Sequence, residues 1–375
     1  MIQNKNTKRT LLISSDCFLP RWDGIAMFLS ELIPEIRNDF KLIIAVPDFG
    51  KSPEFKNVEL HKFPLLKLQV GDIYFSRVNK KELKHLVKQC DFVFNQTLGP
   101  IGIKVIKYAK QLNKPVISYV HSIDWELASK GVKYFKTLIL IWMKILVKKS
   151  YNKCSLLLLP SKEMEDLLTV HGITTKKEVL KLGIDTEIFT PVLNKNELKK
   201  KLGLNNTDFV IGYCGRLSRE KDLPTLFEAF LKIRKKHKNA KLLIVGEGPQ
   251  KEILKHKDIL LVGSQDNVVP FLQTMDIYVL PSLTETSSLS TMEAMSCELP
   301  VIVTPVGNIK EYVRDGENGL VFPRGDIKSL VKKINSLIKN ESLRKKLGKE
   351  GRKTIKERHD WKNKVDKLRK ILKEF

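Results

Sequence analysis

The sequence lacks a long apolar run. Its strongest candidate, residues 138–147, is interrupted by Lys144, whereas a helix that crosses a membrane needs about 20 mostly apolar residues. Residues 1–9 also lack the apolar core of a signal peptide, because they lead directly into a strand pattern at residue 10. These absences argue against a membrane span and against secretion. They predict a cytoplasmic protein.

Cysteine is scarce and scattered. The five cysteines are odd in number and show no Cys-x-x-Cys spacing, which argues against a disulfide framework and against a zinc site. We therefore expect reduced thiols.

Acidic residues are too few to balance the basic ones. The chain has 67 Lys and Arg against 42 Asp and Glu, a formal charge of +25, which favours an anionic partner such as a phosphorylated substrate, anionic lipid or nucleic acid. The excess is mostly lysine spread along the chain, without the interleaved arginine and aromatic residues that bind single strands. This pattern argues against nucleic acid.

Short apolar segments alternate with helical patterns along both halves of the 375 residues. Such alternation indicates a parallel, doubly wound sheet, and the length allows two domains of ordinary size. We therefore predict an α/β protein with two Rossmann-like domains. Strands are expected, among others, at residues 10–15, 41–47, 58–63, 91–95, 115–120, 156–160, 209–213, 277–280 and 301–304.

The most informative stretch is residues 280–304, where a strand leads through a polar loop and a short helix into another strand. Two acids, Glu285 and Glu293, bracket the loop. The loop residues Thr286, Ser287, Ser288 and Leu289 leave the backbone amides open to a phosphate at the start of the helix. Glu293, one turn into the helix, could accept hydrogen bonds from a ribose. Alternatively, Ser290 and Glu293 form a capping box that needs no ligand.

This stretch resembles the E-x7-E signature of GT-B glycosyltransferases of family 4. Seven residues separate Glu285 from Glu293, and the resemblance continues through Pro300-Val301 to Gly307 and Glu311. It extends over nearly the whole chain. Two departures are Glu298 and Asn308, which stand where the family often has glycine.

The resemblance implies further donor-binding residues. The segment 215–221, Gly-Arg-Leu-Ser-Arg-Glu-Lys, is similar to the family's diphosphate-binding motif and gives Gly215, Arg216 and Lys221. Two cations there would neutralise a departing diphosphate, although a solvated basic turn is the plain alternative. The loop 16–24 is similar to the family's first glycine-rich turn, in which Gly24 matches the second glycine and Asp23 replaces the first.

His121 follows the strand at 115–120 and matches a family histidine beside the donor sugar; its residue type alone fits a structural histidine equally well.

The implied reaction is transfer of a sugar, with retention of configuration, from a nucleoside-diphosphate sugar to a hydroxyl of a lipid-linked, glycan or small-molecule acceptor. Arg216, Lys221, Glu285 and His121 are the expected catalytic residues. The sequence has no Asp-x-Asp motif, so we expect neither a metal nor another cofactor. The alternatives are a nucleotide-sugar epimerase, a phosphorylase of similar fold, or a non-catalytic protein that binds polyanions or membranes.

The predicted domain boundaries follow the same resemblance. We expect an acceptor-side domain over residues 1–191, a sugar-nucleotide domain over 192–357 facing it across a cleft, and a last helix, 358–375, that crosses back to the first domain.

A helix at 134–153 is apolar on most sides and has lysines near both ends. It fits a core helix, or one that lies on the anionic inner face of a membrane.

Overall fold

The structure is a computed structural model that describes residues 8–21, 23–70, 73–125 and 136–375, without the side chains of residues 69, 70 and 136. The chain forms two compact units. Unit 1 comprises Met1–Lys181 together with Val365–Phe375, and unit 2 comprises Leu182–Lys364. The start of the helix expected at residue 134 lies outside the described residues.

Unit 1 contains a seven-stranded parallel sheet in the order β3-β2-β1-β6-β7-β8-β9. Its strands are β1 (Thr10–Ser14), β2 (Lys41–Pro47), β3 (Val58–Phe63), β6 (Phe92–Asn95), β7 (Val116–Tyr119), β8 (Leu156–Leu159) and β9 (Lys177–Val179). Its helices are α1 (Gly24–Ile36), α2 (Lys80–Gln89), α3 (Pro100–Gln111), α4 (Lys136–Tyr151) and α5 (Lys162–Val170). A separate antiparallel hairpin joins β4 (Leu65–Val70) to β5 (Ile73–Ser76); the sequence analysis missed it.

Unit 2 contains a six-stranded parallel sheet in the order β12-β11-β10-β13-β14-β15. Its strands are β10 (Phe209–Cys214), β11 (Ala240–Val245), β12 (Ile259–Leu261), β13 (Ile277–Leu280), β14 (Val301–Val303) and β15 (Leu320–Val321). Its α-helices are α6 (Asn196–Lys201), α7 (Leu223–Lys236), α8 (Val269–Thr274), α9 (Leu289–Ser296), α10 (Ile309–Tyr312), α11 (Ile327–Lys339) and α12 (Glu341–Arg358). The final helix, α13 (Trp361–Lys373), begins in unit 2 and ends in unit 1.

The central strands are apolar along their whole length because helices cover both faces of a parallel sheet. Every residue of β6, β8, β10 and β13 is buried, and each unit has its own core of buried aliphatic and aromatic side chains. The two predicted doubly wound sheets are confirmed.

The last eleven residues pack within unit 1. Val365, Leu368, Ile371 and Leu372 are at most 5 % exposed, and Arg369 Nε donates to Asp39 at 2.8 Å. The division between the units falls after Lys181, ten residues before the predicted domain boundary after residue 191. The segment that follows belongs to unit 2 because Ile184 pairs with Asp360 there and its amide donates to His359.

Helix α4 exposes much of its apolar surface. Its four most exposed apolar side chains are Leu138, Ile141, Trp142 and Ile145, at 50 to 64 %, and their spacing puts them on one face. Val147, Ser150 and Tyr151 are buried. In the part of the chain that the structure describes, no helix is both long and apolar enough to cross a membrane.

Candidate functional site

The sheet of unit 2 reverses its strand order between β10 and β13. These two strands are neighbours, whereas the chain continues from β10 to β11 on one side and from β13 to β14 on the other. Ligands of open α/β sheets bind beyond the carboxyl ends of the strands at this kind of switch point. The loops that follow β10 and β13, with helix α9, contain all of the predicted donor-binding residues except Gly24, which lies in unit 1.

The conformation of the loop after β10 is fixed largely by hydrogen bonds to its own backbone and side chains. Gly215 has a φ of +146°, a conformation that favours glycine, and Tyr213 Oη donates to the carbonyl of Arg216 at 2.8 Å. Arg216 Nη2 donates to Glu220 Oε1 at 2.9 Å, and Ser218 Oγ donates to the same oxygen at 2.5 Å. Burial raises the pKa of Glu220, but the bonds from Ser218 and Arg216 outweigh it and lower the pKa below its ordinary value.

Lys221 and Glu285, 64 residues apart, form an ion pair. Lys221 Nζ lies 2.5 Å from Glu285 Oε1, and Ser282 Oγ donates to the same oxygen at 2.7 Å. The side chains are only 19 % and 8 % exposed. Two of the predicted catalytic residues are therefore brought together, and the carboxylate of Glu285 is oriented by a cation and a hydroxyl before any ligand binds.

The loop that follows Glu285 is fixed by the segment after β14. Gly307 has a φ of +52°, and a Cβ there would stand 2.1 Å from the carbonyl oxygen of Glu285. The amide of Asn308 donates to Thr286 O at 2.9 Å, and Tyr312 Oη donates to Ser287 O at 2.8 Å. Asn308 has a right-handed backbone, φ −75°, so it replaces glycine without using the left-handed conformation that asparagine tolerates.

Helix α9 begins two residues earlier than it would if Ser290 were its N-cap, as the capping box requires. Its N-cap is Ser288, with a φ of +51° and no side-chain capping bond, and the helix starts at Leu289. Ser290 lies inside the first turn, so the capping-box alternative for Ser290 and Glu293 is wrong. Among the described residues, none accepts a hydrogen bond from the backbone amides of residues 286–290. These donors are available to an anion at the positive end of the helix.

Glu293 lies one turn into α9 and is partly buried. Tyr278 connects the first turn of α9 to the end of β10, because its Oη donates to Ser290 Oγ at 2.9 Å and lies 3.3 Å from the carbonyl oxygen of Cys214. The charge of Glu293 adds to the effect of burial in raising the pKa of the Cys214 thiol.

The equivalent edge of unit 1 is formed by the loops after β1, β6 and β7. Asp16 Oδ1 accepts from the amide of Ile101 at 2.8 Å and caps α3. Asp23 Oδ1 accepts from Ile25 and Ala26 and caps α1, which explains a carboxylate where the family turn has glycine. Gly24 is the first residue of α1, and a Cβ added to it would meet nothing within 4 Å.

His121 lies directly beyond β7, with its ring 4.5 Å from that of Tyr119 and 5.2 Å from that of Phe28. Its Nε2 is 2.9 Å from Gln96 Oε1. Burial lowers the pKa of His121 to about 3, so the imidazole is neutral near pH 7.

Several contributors to these sites were missed by the sequence analysis. They are Ser282, Glu220 and Tyr312 in unit 2 and Gln96 in unit 1. Ser282 and Glu220 contact residues three and four positions away, whereas Tyr312 and Gln96 contact residues 25 positions away, which spacing along the chain does not reveal. Position was a further signal, since Ser282 and Gln96 follow the ends of central strands.

No group of three or more His, Cys, Asp or Glu side chains within residues 8–21, 23–70, 73–125 and 136–375 could hold a metal ion. Metal independence of the reaction stays a prediction.

Two family models match the chain. One, described as Glycosyltransferase Family 4, matches residues 22–188; the other, Glycosyl transferases group 1, matches residues 194–354. The second match lies wholly within unit 2 and includes every site residue of that unit.

Two relatives illustrate the range of similarity: one matches nearly the whole sequence, and the other matches a little more than half of it. The capsular polysaccharide biosynthesis glycosyltransferase CapM of Staphylococcus aureus is 27 % identical, covering 94 % of this chain and 93 % of that protein. The UDP-Gal:alpha-D-GlcNAc-diphosphoundecaprenol alpha-1,3-galactosyltransferase of Escherichia coli is 30 % identical, covering 60 % of this chain and 59 % of that protein.

A solved structure shares the fold. HepE of Anabaena in complex with UDP-glucose superposes with a TM-score of 0.77 at 17 % identity, covering 98 % of this chain and all of that one.

Proposed function

The chain belongs to the group 1 and family 4 glycosyltransferases, whose GT-B fold it shares, and from this premise we propose that it transfers a sugar from a nucleoside-diphosphate sugar to a hydroxyl acceptor with retention of configuration. The observation that supports the donor class is the juxtaposition at the β10 and β13 switch point. Two cationic side chains and five backbone amides without a described acceptor lie on adjacent loops. That combination suits a diphosphate.

Breaking the bond between the anomeric carbon and the phosphate places negative charge on the departing diphosphate. In this proposal, Arg216, Lys221 and the amides of residues 286–290 stabilise that charge, without a metal. Donors placed in advance where charge develops are among the largest contributions to catalysis.

The two acids at the donor site have different roles in this proposal. Glu293 accepts hydrogen bonds from the ribose, and Glu285 binds the sugar hydroxyls and orients the donor. The ion pair with Lys221 orients the carboxylate of Glu285, so that it can accept from sugar hydroxyls while Lys221 remains near the leaving group. In unit 1, His121 contacts a substrate hydroxyl, and Gly24, which has no side chain, leaves the start of α1 open to the donor.

The donor and acceptor classes follow from the neighbours. HepE was solved with UDP-glucose, and the name of the Escherichia coli relative gives UDP-galactose and a diphosphoundecaprenol-linked acceptor. We therefore propose a UDP-sugar as donor and a lipid-linked acceptor.

A lipid-linked acceptor requires the enzyme to work at a membrane surface. Helix α4 supports this, since its exposed apolar face, Leu138, Ile141, Trp142 and Ile145, lies beside the exposed Lys148 and Lys149. We propose peripheral binding of this face to the anionic inner surface of the membrane.

The donor is tested by a thermal-shift panel of UDP, GDP and ADP and their sugars. UDP and one UDP-sugar should raise the melting temperature. The sugar of that donor should be transferred to an acceptor even when a chelator is present in the assay. Protection by no nucleoside diphosphate, in a protein that binds polyanions in a salt-dependent way, would favour the non-catalytic alternative. Isomerisation of the nucleotide sugar without acceptor would identify an epimerase.

The membrane proposal is tested by sedimentation with vesicles. Binding should require anionic lipid and should fall by about a hundredfold when Lys144, Lys148 and Lys149 become glutamate, because each lysine contributes about 1 kcal/mol near an anionic surface. The control is the same change at Lys346, Lys349 and Lys353 on α12. This variant should bind anionic vesicles as tightly as the unchanged protein. Equal binding to neutral vesicles would refute the proposal.

A further inference from the structure

Gln96 occupies the switch point of unit 1. The strand order of that sheet reverses between β1 and β6, and Gln96 is the first residue beyond β6. Its backbone amide donates to Ser14 O at 2.8 Å, so its position is fixed against β1. Ligands bind at this edge in open α/β sheets.

The side chain of Gln96 is buried but only half satisfied. The residue is 2 % exposed, and its Nε2 is a buried nitrogen without a hydrogen-bond partner. Buried amides are almost always paired. The contact that this amide does make is through its oxygen, which accepts from His121 Nε2 at 2.9 Å.

Hydrogen bonding to one ring nitrogen of histidine decides which nitrogen carries the proton. Since Gln96 Oε1 can only accept, the proton of a neutral His121 stays on Nε2. No described residue donates a hydrogen bond to Nδ1. The ring itself is held by Phe28 and Tyr119.

We infer that Gln96 is a positioning residue that fixes His121 as the Nε2–H tautomer, so that Nδ1 accepts a hydrogen bond from a substrate hydroxyl. The inference rests on the proposed function for the identity of the substrate, but not for the tautomer. It gives His121 the role of a neutral acceptor, whereas an imidazolium would act as a donor or a cation.

The surroundings of His121 keep the ring neutral. Burial alone lowers its pKa to about 3. Tyr119, the titratable side chain in ring contact, has a pKa raised by burial and is therefore also neutral. Gln96, from the loop after β6, and Phe28, from α1, are uncharged.

Imidazole ¹⁵N chemical shifts of the full chain labelled with ¹⁵N-histidine read the tautomer without any substrate. The chain has seven histidines, and a His121→Asn spectrum assigns the signal by difference. We expect a neutral Nε2–H ring from about pH 5 to pH 8. A proton on Nδ1, or titration near the ordinary pKa of about 6.5, would overturn the inference.

Variants of Gln96 test whether it is the cause. Gln96→Met keeps the length of the side chain without the acceptor, so both tautomers should appear; an unchanged Nε2–H signal would show that Gln96 does not fix the ring. Gln96→Glu puts a carboxylate beside the imidazole and should raise the pKa of His121. The matched control is Gln89→Met, which removes an exposed glutamine contact to His85 and should leave the His121 signal unchanged. The wild-type spectrum remains decisive if a variant does not fold.

Activity provides the second readout. In Gln96→Glu, turnover should fall as the pH drops through the raised pKa of His121, because a protonated Nδ1 cannot accept. Hydrolysis of UDP-glucose without acceptor reports a donor hydroxyl, and the KM of the acceptor reports an acceptor hydroxyl. A change in the hydrolysis rate or in the KM of the acceptor supports the proposed action of Gln96 through His121. Wild-type values of both quantities would contradict it. If no nucleotide sugar is turned over, the proposed function fails, but the tautomer result stands.

Discussion

At the scale of single residues, the donor side depends on the pair Lys221 and Glu285. Both side chains are mostly buried and 2.5 Å apart. Removing one partner of a buried pair leaves an uncompensated charge, which costs more than removing both. The pair therefore contributes to folding as well as to the proposed chemistry, and the two contributions can be separated.

Lys221→Met is expected to reduce turnover by about a hundredfold and to lower the free energy of unfolding by about 2 to 3 kcal/mol. The double variant Lys221→Met/Glu285→Gln should recover most of that stability but none of the activity. Urea denaturation and initial rates measure the two effects. Arg216→Met is the control, because its ion pair is more exposed and should cost less than about 1 kcal/mol. A double variant no more stable than the single one would contradict the role of the pair in folding.

The two acids can be distinguished by binding. Because Ser288 is the N-cap, Glu293→Gln should leave helix α9 intact but lose charge-assisted bonds to the ribose, each about 1.5 to 3 kcal/mol. Affinity for UDP should fall about tenfold or more. Glu285→Gln should keep the affinity for UDP and lose turnover. Calorimetric titration measures both; UDP affinity unchanged in Glu293→Gln would remove the ribose contact.

Asp124 provides a test of pH dependence. Burial raises its pKa to about 6, although the hydrogen bond from Tyr151 opposes the shift. Since the unfolded pKa is about 3.9, the fold disfavours the carboxylate, and stability decreases as the pH rises from about 4 to about 6. Asp124→Asn should stabilise the protein at pH 7 by up to about 3 kcal/mol, at 1.4 kcal/mol per pKa unit, and by little at pH 4. Urea denaturation at both pH values checks this. An equal gain at both would indicate better packing instead.

At the scale of elements, the turn after α9 contains a residue in a strained backbone conformation. Glu298 replaces a family glycine and has a φ of +59°, so the turn is kept and the residue adopts the left-handed conformation. The carbonyl of Glu298 lies so close to α12 that a Cβ on Gly348 would be 2.1 Å from it. The backbone there cannot relax easily.

Glu298→Gly is therefore expected to raise the stability of unit 2 by up to about 1 kcal/mol, because glycine adopts this conformation without the clash of Cβ. Thermal denaturation should show a gain of about 2 to 4 °C. Glu298→Ala separates conformation from charge, since alanine keeps Cβ and should give no gain. A similar gain in both variants would attribute the cost to the carboxylate.

Elements were predictable where their signal is local. Strands such as β2 (Lys41–Pro47) and β13 (Ile277–Leu280) were predicted with the observed bounds, because continuous apolar runs mark buried parallel strands. The hairpin of β4 and β5 was missed since its strands mix lysine and glutamine with leucine and expose Leu66 and Leu68. The N-cap of α9 was misplaced by two residues, because Ser288 uses a left-handed backbone that its residue type does not signal.

At the scale of the whole molecule, residues near each other in sequence were easier to assign than distant ones. Gly215, Arg216 and Lys221 form one local motif, and the resemblance to family 4 identified it. The pairing of Lys221 with Glu285 and of Gln96 with His121 depends on how the sheets order their strands. Spacing along the chain contains no record of that order.

The C-terminal helix contributes to the stability of unit 1. A chain that ends at Glu357 loses the buried Val365, Leu368, Ile371 and Leu372, each worth roughly 1.5 kcal/mol or more, and the bonds of Arg369 and Lys373 to Asp39. We expect this truncation to be insoluble or inactive. The double variant Leu368→Asp/Ile371→Asp should reproduce the defect in the full chain, whereas Lys362→Asp/Lys370→Asp should not. Circular dichroism and initial rates measure the outcome, and a folded, active truncation would contradict it.

The same helix sets the order in which the protein can be completed during translation. Arg369 and Asp39 are separated by 330 residues, so the first unit to leave the ribosome is the last to receive all of its parts. Unit 2 can close as soon as residue 364 emerges, while the surface of unit 1 that binds residues 365–375 stays uncovered until those residues have been synthesised. Synthesis of α13, rather than of the first half of the chain, is therefore the step that completes unit 1.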